Sequence, residues 1–203
     1  MNVADSICRV SEIFHSLQGE GHRAGTANIF IRLSGCKAKH ACYSMGIRCD
    51  TEFESGENTS WGELAQKISQ YHCENIIWTG GEPADQLTEE VVAFFKERNY
   101  YQCIETSGLL PVPSNLDYVV VSPKVAEHVV QKNFPQGVQE LRYVRHKGQA
   151  IPQPGIKADH YFVSPHSDGW TINNENLAHC VELVKQNHPW RLSVQQHKQW
   201  NVL

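Results

Sequence analysis

Seven short apolar segments punctuate the chain, at residues 28–33, 75–78, 101–104, 118–121, 140–144, 160–163 and 191–194, and several of the intervals between them carry helical periodicity. Ser60-Trp-Gly-Glu63 is a capping-box sequence ahead of Leu64, Ile68 and Tyr71. Thr88 and two glutamates lead into Val91, Val92, Phe94 and Phe95. Residues 174–187 place Leu177, Val181 and Val184 on one face before Pro189. Strands alternating with helices predict an α/β fold, a mostly parallel sheet with helices outside, either open or curled into part of a barrel. The stretches 126–137 and 146–155, rich in Gly, Pro, Gln and Lys, read as surface loops or a reduced helix. At 203 residues, with no internal repeat and no linker, the chain reads as one domain, 1–203.

A formal charge of -4 leaves no basic surface for gripping phosphates, so a nucleic-acid partner is disfavoured and a small molecule fits better. The N-terminus has neither the basic region nor the apolar core of a signal peptide, and no stretch approaches the ~20 apolar residues of a membrane span. A cytoplasmic protein with no membrane association is expected. Seven cysteines is an odd number, and Cys8, Cys73, Cys103 and Cys180 are scattered without a pairing pattern, as small core residues in a reducing compartment would be.

Polar, glycine-rich segments fall at the carboxyl ends of the strand candidates: Gly35-Cys36, Thr79-Gly-Gly-Glu-Pro83, Glu105-Thr-Ser-Gly108, Ser122-Pro-Lys124, Ser164-Pro-His166 and Gln195-Gln-His197. In parallel α/β folds those ends share one rim, where ligands bind. The first of these segments opens a run of three cysteines, Cys36, Cys42 and Cys49, within fourteen residues. Three thiolates leave one iron of an iron-sulfur cluster open for a substrate or second cofactor. The rival is zinc, with His40 completing a Cys3His tetrahedron, although gaps of five and six residues differ from the usual Cys-x2-Cys pairs.

Together these motifs resemble the radical S-adenosylmethionine (SAM) superfamily, whose fold is a partial (β/α) barrel with a three-cysteine loop after the first strand and a GGEP-like segment after the second. More narrowly, Phe14-His-Ser-Leu-Gln-Gly-Glu-Gly21, Ala24-Gly-Thr26, Phe30-Ile-Arg-Leu33, Cys49-Asp-Thr51, Thr79-Gly-Gly-Glu-Pro83, Ile104-Glu-Thr-Ser-Gly108, Val121-Ser-Pro-Lys124 and Arg191-Leu-Ser-Val-Gln-Gln-His-Lys198 look like the 7-carboxy-7-deazaguanine synthase (QueE) family. The cluster spacing departs from the usual Cys-x3-Cys-x2-Cys, and His40 stands where the second cysteine would fall counting from Cys36.

The resemblance implies a [4Fe-4S] cluster on Cys36, Cys42 and Cys49, SAM bound at its open iron, and a 5'-deoxyadenosyl radical that starts ring contraction of 6-carboxy-5,6,7,8-tetrahydropterin, with loss of ammonia. It implies that Gly80, Gly81 and Glu82 hold the methionyl amino group, while Ser107, Ser122, Pro123, Lys124, Ser164, Pro165, His166 and Ser167 line the rest of SAM. Leu17, Gln18, Gly19 and Glu20 would read the pterin, joined by Thr79, His197 and the terminal carboxylate of Leu203. Thr51 resembles a Mg2+ ligand, a hard cation suited to oxygen donors. Arg32 sits in an otherwise apolar strand and needs an anion; the substrate carboxylate supplies one, and a salt bridge at the barrel rim is the alternative. An electron donor such as a flavodoxin and a homodimer are further implications. Two other functions stay open: a radical SAM activase acting on a partner protein, which would tend to lack the Leu-Gln-Gly-Glu-Gly segment and the Gln-x-His-Lys tail, and a non-catalytic zinc-binding module.

Overall fold

Side chains alternate across a β-sheet, so the strands of one sheet sort apolar and polar groups onto opposite faces. The computed structural model describes residues 2–44, 53–167 and 169–202. Its strands are β1 (Ile7–Leu17), β2 (Ala27–Leu33), β3 (Glu57–Ser60), β4 (Asn75–Gly80), β5 (Tyr101–Thr106), β6 (Tyr118–Val121), β7 (Val138–Arg145), β8 (Ala158–Pro165) and β9 (Arg191–Leu192). The helices are α1 (Lys39–Ser44), α2 (Trp61–Ile68), α3 (Glu89–Lys96), α4 (Glu127–Asn133), α5 (Asn174–Gln186) and α6 (Gln196–Trp200). All nine strands form one sheet in the order β3-β1-β2-β4-β5-β6-β7-β8-β9, with β3 and β9 as its edges. From β2 to β9 every pairing is parallel, and β1 runs antiparallel to both β2 and β3. The sheet is open and mostly parallel with outer helices, as the sequence predicts.

Ile31 lies beside Trp78, and Trp78 beside Ile104, so one face of β2, β4 and β5 carries an apolar row across the three strands, with Gln102 of β5 a buried polar side chain on the same face. Trp61, Leu64 and Ile68 of α2 and Val91, Phe94 and Phe95 of α3 pack on it. Trp78 meets Phe95 edge to face at 5.1 Å and Trp61 at 5.9 Å. The capping box forms as expected: Ser60 Oγ accepts from Glu63 N at 3.2 Å, and Glu63 Oε2 accepts from Ser60 N at 2.9 Å. A second apolar cluster gathers Val121, Leu141 and Tyr143 under Val130 of α4, the reduced helix anticipated after β6. The same register turns Phe14, Phe30, Ile77, Cys103 and Tyr118 to the other face, followed one step along by Arg32, Thr79, Glu105 and Glu140. That inner face carries the charge.

The structure corrects several expectations. β1 and β3 are absent from the predicted strands, β9 stops at Leu192, and α2 ends at Ile68 with Ser69 as its cap, leaving Tyr71 beyond the helix. α5 buries Asn176 and Cys180, while Val181 is exposed. The rotation follows from Asn176, whose Oδ1 accepts from Lys147 N at 2.8 Å and whose Nδ2 donates to His166 O at 2.9 Å. Cys8, Cys103 and Cys180 are buried as expected; Cys73 is only half-buried. Among the described residues no helix is long and apolar enough to cross a membrane.

Trp78→Ala should lower unfolding free energy by about 3–5 kcal/mol, and Ser60→Ala by about 1 kcal/mol, because one opens the core and the other removes a cap. Urea titration checks both, and equal effects would contradict this assignment of core and cap.

Candidate functional site

The polar inner face opens into a cavity of about 540 Å³. Leu17, Gln18, Gly19, Glu20, Arg32, Thr79 and His197, all expected to read the substrate, line it together. Leu203, the eighth, lies outside the described residues. Leu17 ends β1 and the loop after it carries three more, Gln18, Gly19 and Glu20, because β1 runs antiparallel and returns the chain into the sheet's open side. There Gln196 N donates to Gly19 O at 2.9 Å. A Cβ at Gly19 would stand 2.1 Å from His197 Nδ1, so only glycine lets this loop and the C-terminal segment meet.

One wall is aromatic. Phe14 and Phe30 stack with ring centroids 4.9 Å apart and an interplanar angle of 3°. The Arg32 guanidinium lies 4.8 Å from the Phe14 centroid, and its Nη1 contacts Glu12 Oε2 at 2.5 Å. The salt bridge weighed as the alternative for Arg32 is therefore present, in a residue that also faces the cavity. Trp170, 62% exposed, stands at the mouth with its ring 6.4 Å from that of His197, and Lys198 Nζ donates to Gly169 O.

The facing wall is ionic; the sequence marks Glu105 only as the head of a strand-end segment, with no role of its own, and does not mark Arg142. Arg142 Nη1 lies 2.6 Å from Glu20 Oε2 and 3.5 Å from Glu105 Oε1, while its Nη2 lies 2.7 Å from Glu140 Oε1. Gln18 Nε2 donates to Glu105 Oε1 at 2.9 Å, and Gln18 Oε1 accepts from Glu20 N at 3.0 Å. Burial alone would raise the Glu20 carboxyl, but Arg142, His197 and hydrogen bonds from Gln195 and Arg142 hold it below the usual carboxylate range. Burial, aided by Glu20 and Glu140, pushes Glu105 up despite Arg142. Arg142 stays charged: burial works against it, and Glu20, Glu105 and Glu140 outweigh that.

The residues expected to hold SAM form an arc along the strand ends. Gly81 N donates to Leu33 O and Glu82 N to Gly35 O, each at 3.0 Å, which docks the segment after β4 onto the start of the cysteine loop. A Cβ on Gly81 would fall 1.9 Å from Gly35 O and 3.0 Å from Cys36 Cβ. Glu82, 1% exposed, turns its carboxylate toward the end of β5, accepting from Thr106 Oγ1 at 2.7 Å, Ser107 N at 3.0 Å, Ser107 Oγ, and Ala84 N at 3.3 Å. Those four donors fill its acceptor sites, so the backbone carbonyls beside it are the better receivers for an ammonium. Ser122 N donates to Thr106 O and Lys124 N to Ser107 O, and Lys124 Nζ donates to Ser122 Oγ at 2.9 Å. Pro123 lies between them. On β8, Ser164 Oγ is buried with no hydrogen-bond partner among the described residues, ahead of Pro165, His166 and Ser167. An orphaned hydroxyl on the rim is what a polar ligand would satisfy.

Cys36 follows β2, and Cys42 lies on α1; burial chiefly, with Glu82 and Cys42 nearby adding to it, pushes the Cys36 thiol up to about 11. Lys37 Nζ to Asp85 Oδ1 at 3.1 Å, and Lys39 to Glu54, tie this loop to its surroundings. Cys49 and Thr51 lie outside the described residues, and among those described no three His, Cys, Asp or Glu side chains converge as a metal site.

No protein-family model matches the chain. It is 35% identical over 193 residues to the 7-carboxy-7-deazaguanine synthase of Bacteroides thetaiotaomicron, covering 94% of this chain and 96% of that protein. It is 33% identical over 202 residues to the synthase of the same name from Haemophilus influenzae, covering 93% and 91%. The crystal structure of QueE from Escherichia coli superposes with a TM-score of 0.70 at 23% identity, covering 94% of this chain and 95% of that one; at that identity the likeness speaks for the fold.

The two pocket carboxyls give opposite pH signatures. Glu20, with its folded pKa lowered, contributes stability above its unfolded value that is lost as pH falls through the folded one. Glu105, with its folded pKa raised, costs stability as pH rises from its unfolded value through the folded one. Glu105→Gln should therefore gain stability relative to the parent protein as pH rises from about 4, and Glu20→Gln should lose it. Denaturant titrations across that range check the pair, and parallel curves for both variants would contradict the assignment.

Proposed function

This chain belongs to the 7-carboxy-7-deazaguanine synthase family, radical SAM lyases of deazapurine biosynthesis, and we propose that its cavity binds 6-carboxy-5,6,7,8-tetrahydropterin for contraction to 7-carboxy-7-deazaguanine with release of ammonia. Family membership displaces the activase and zinc-module readings. The observation that carries the proposal is the convergence of Leu17, Gln18, Gly19, Glu20, Arg32, Thr79 and His197 on one cavity of suitable size. Phe14 and Phe30 offer a flat face for a bicyclic ring. Gln18, Glu20 and Glu105 offer donors and acceptors for its heteroatom edge. Arg32, held at Nη1 by Glu12, keeps other N–H groups of its fork for the substrate carboxylate.

Cys36, Cys42 and Cys49 are the proposed ligands of a [4Fe-4S] cluster. Gly80 and Gly81, with Glu82 organising their loop, would seat the amino group of SAM, and Ser107, Ser122, Lys124 and Ser164 would line its remainder. The donor set suits these groups: soft thiolates for iron, the Ser164 hydroxyl, unpartnered among the described residues, and the Lys124 ammonium for a polar ligand. When bound, the pair supplies the radical that takes a hydrogen atom from the substrate. The protein's own part is to orient the ring, exclude water and place carboxyls where protons move as ammonia leaves. Thr51 is the proposed Mg2+ contact. A cytoplasmic homodimer reduced by a partner such as a flavodoxin completes the proposal.

Anaerobic purification followed by incubation with SAM, reductant, Mg2+ and the carboxytetrahydropterin should give the deazaguanine product. Cys36→Ala, Cys42→Ala or Cys49→Ala should abolish both bound iron and turnover, and Gly81→Ala, whose added Cβ would fall 1.9 Å from Gly35 O, should lower both the iron content and the melting temperature. An active protein with all three cysteines replaced would overturn the cluster assignment.

A further inference from the structure

Arg142 commits its donors in a fixed division. Its Nε and Nη2 donate to Glu140 Oε1 at 3.0 and 2.7 Å. Glu140 does not line the cavity. It is 1% exposed, and its second oxygen accepts from His22 N at 3.0 Å and from the Tyr118 hydroxyl at 3.3 Å. With the Nε and Nη2 edge of the guanidinium held on this buried counter-ion, Nη1 is the nitrogen that reaches Glu20 at 2.6 Å and Glu105 at 3.5 Å. Gln18 bridges the same two residues from the other side. A buried ion network of this kind is weak evidence for stability, since well-packed apolar groups serve as well or better. Its position in a cavity wall calls for a different reason.

Resting on the pterin reading above, we infer that Arg142 is a positioning residue for the reaction: braced by Glu140, it clamps the Glu20 and Glu105 carboxyls in the orientation that meets the heteroatom edge of the ring. It acts through those two groups rather than on the reacting atoms. The rigid fork of arginine suits this task, because a lysine ammonium is a single rotatable point charge that cannot hold Glu140 and Glu20 at once in fixed geometry. The opposed shifts of Glu20 and Glu105 agree with one cation serving two carboxyls unequally. None of these contacts reaches the strand-end arc assigned to SAM, so the effect of Arg142 should be confined to the pterin.

Steady-state kinetics of the reconstituted holoenzyme, with R142K, R142M and E140Q, separates the possibilities. R142M should raise the KM for carboxytetrahydropterin by about 10- to 100-fold, the range that loss of a charge-assisted hydrogen bond gives. The KM for SAM and the slow cleavage of SAM without pterin should not change. R142K should fall between parent and R142M, and E140Q, which releases the brace, should raise the pterin KM with R142 intact. Should R142M fail to fold, R142K and E140Q carry the same comparison. Unchanged pterin KM in the folded variants, or equal loss of pterin and SAM binding, would overturn the positioning role alone. Absence of product from the parent holoenzyme would overturn the pterin reading and this inference with it.

Discussion

The sheet's two faces set the terms for everything else. Helices α2, α3 and α4 cover one face, and that face in β2, β4 and β5 is mostly apolar, with the buried Gln102 accepting from Trp78 Nε1 at 3.1 Å and donating to Val92 O at 2.9 Å. Hydrophobic burial is therefore concentrated there, at roughly 25 cal/mol per Å² removed from water, and the opposite face is released from core packing. It can then carry Arg32, Thr79, Glu105, Glu140 and Arg142. The antiparallel β1 adds the second requirement. Its end returns the loop of residues 18–26 to the open side of the sheet, where Gly21 N donates to Ser193 Oγ at 2.9 Å and His22 N to Glu140. A wholly parallel sheet would give Gln18 and Glu20 no such approach.

Two buried carboxylates show how the site divides its electrostatic work. Glu82 and Glu140 are each 1% exposed, and an uncompensated charge at that depth is prohibitive. Glu82 is satisfied by neutral donors alone, from Thr106, Ser107 and Ala84, and so stitches the end of β4 to the end of β5 without consuming a cation. Glu140 is satisfied mainly by Arg142. The rim is thus built from neutral hydrogen bonds that leave Lys124 close to the arc, whereas the cavity wall is built from one guanidinium shared among carboxyls. Lowering the dielectric around the second arrangement strengthens both its attraction and the penalty for breaking it.

Much of this was legible in the sequence, and the exceptions have physical causes. The parallel strands read as apolar runs because one face packs under helices and the other begins with Phe30, Ile77 and Cys103 before its polar residues, and the polar strand-end segments mark the rim. β1 escaped notice because its register shifts between Val10 and Glu12, which breaks the alternation that identifies a strand. β3, Glu-Asn-Thr-Ser, has no apolar residue at all and is held by pairing with β1. Glu105 is marked in the sequence only as part of a strand-end segment and Arg142 not at all, although the signal is available. A charge inside an apolar strand drew attention to Arg32, and the same argument applied to Glu140-Leu-Arg-Tyr-Val would have flagged Arg142. Trp170 had no such mark: an exposed tryptophan in a loop gains meaning only when its place beside His197 is known.

The two arginines of the cavity differ in a way that bears on how an anion is chosen. Arg142, its side chain 7% exposed, is surrounded by three carboxylates that take four of its N–H donors. Arg32, its side chain 31% exposed, has one ionic partner among the described residues, Glu12, and rests on the face of Phe14. A guanidinium carries five N–H donors in a planar fork. Engaging one edge with Glu12 and one face with an aromatic ring therefore fixes its orientation while leaving other donors for a ligand carboxylate. The salt bridge and the substrate-binding role are then two halves of one arrangement. Glu12 also limits what the site accepts, because its negative charge nearby weakens the pull on any anion that cannot form a well-aligned pair with the remaining fork.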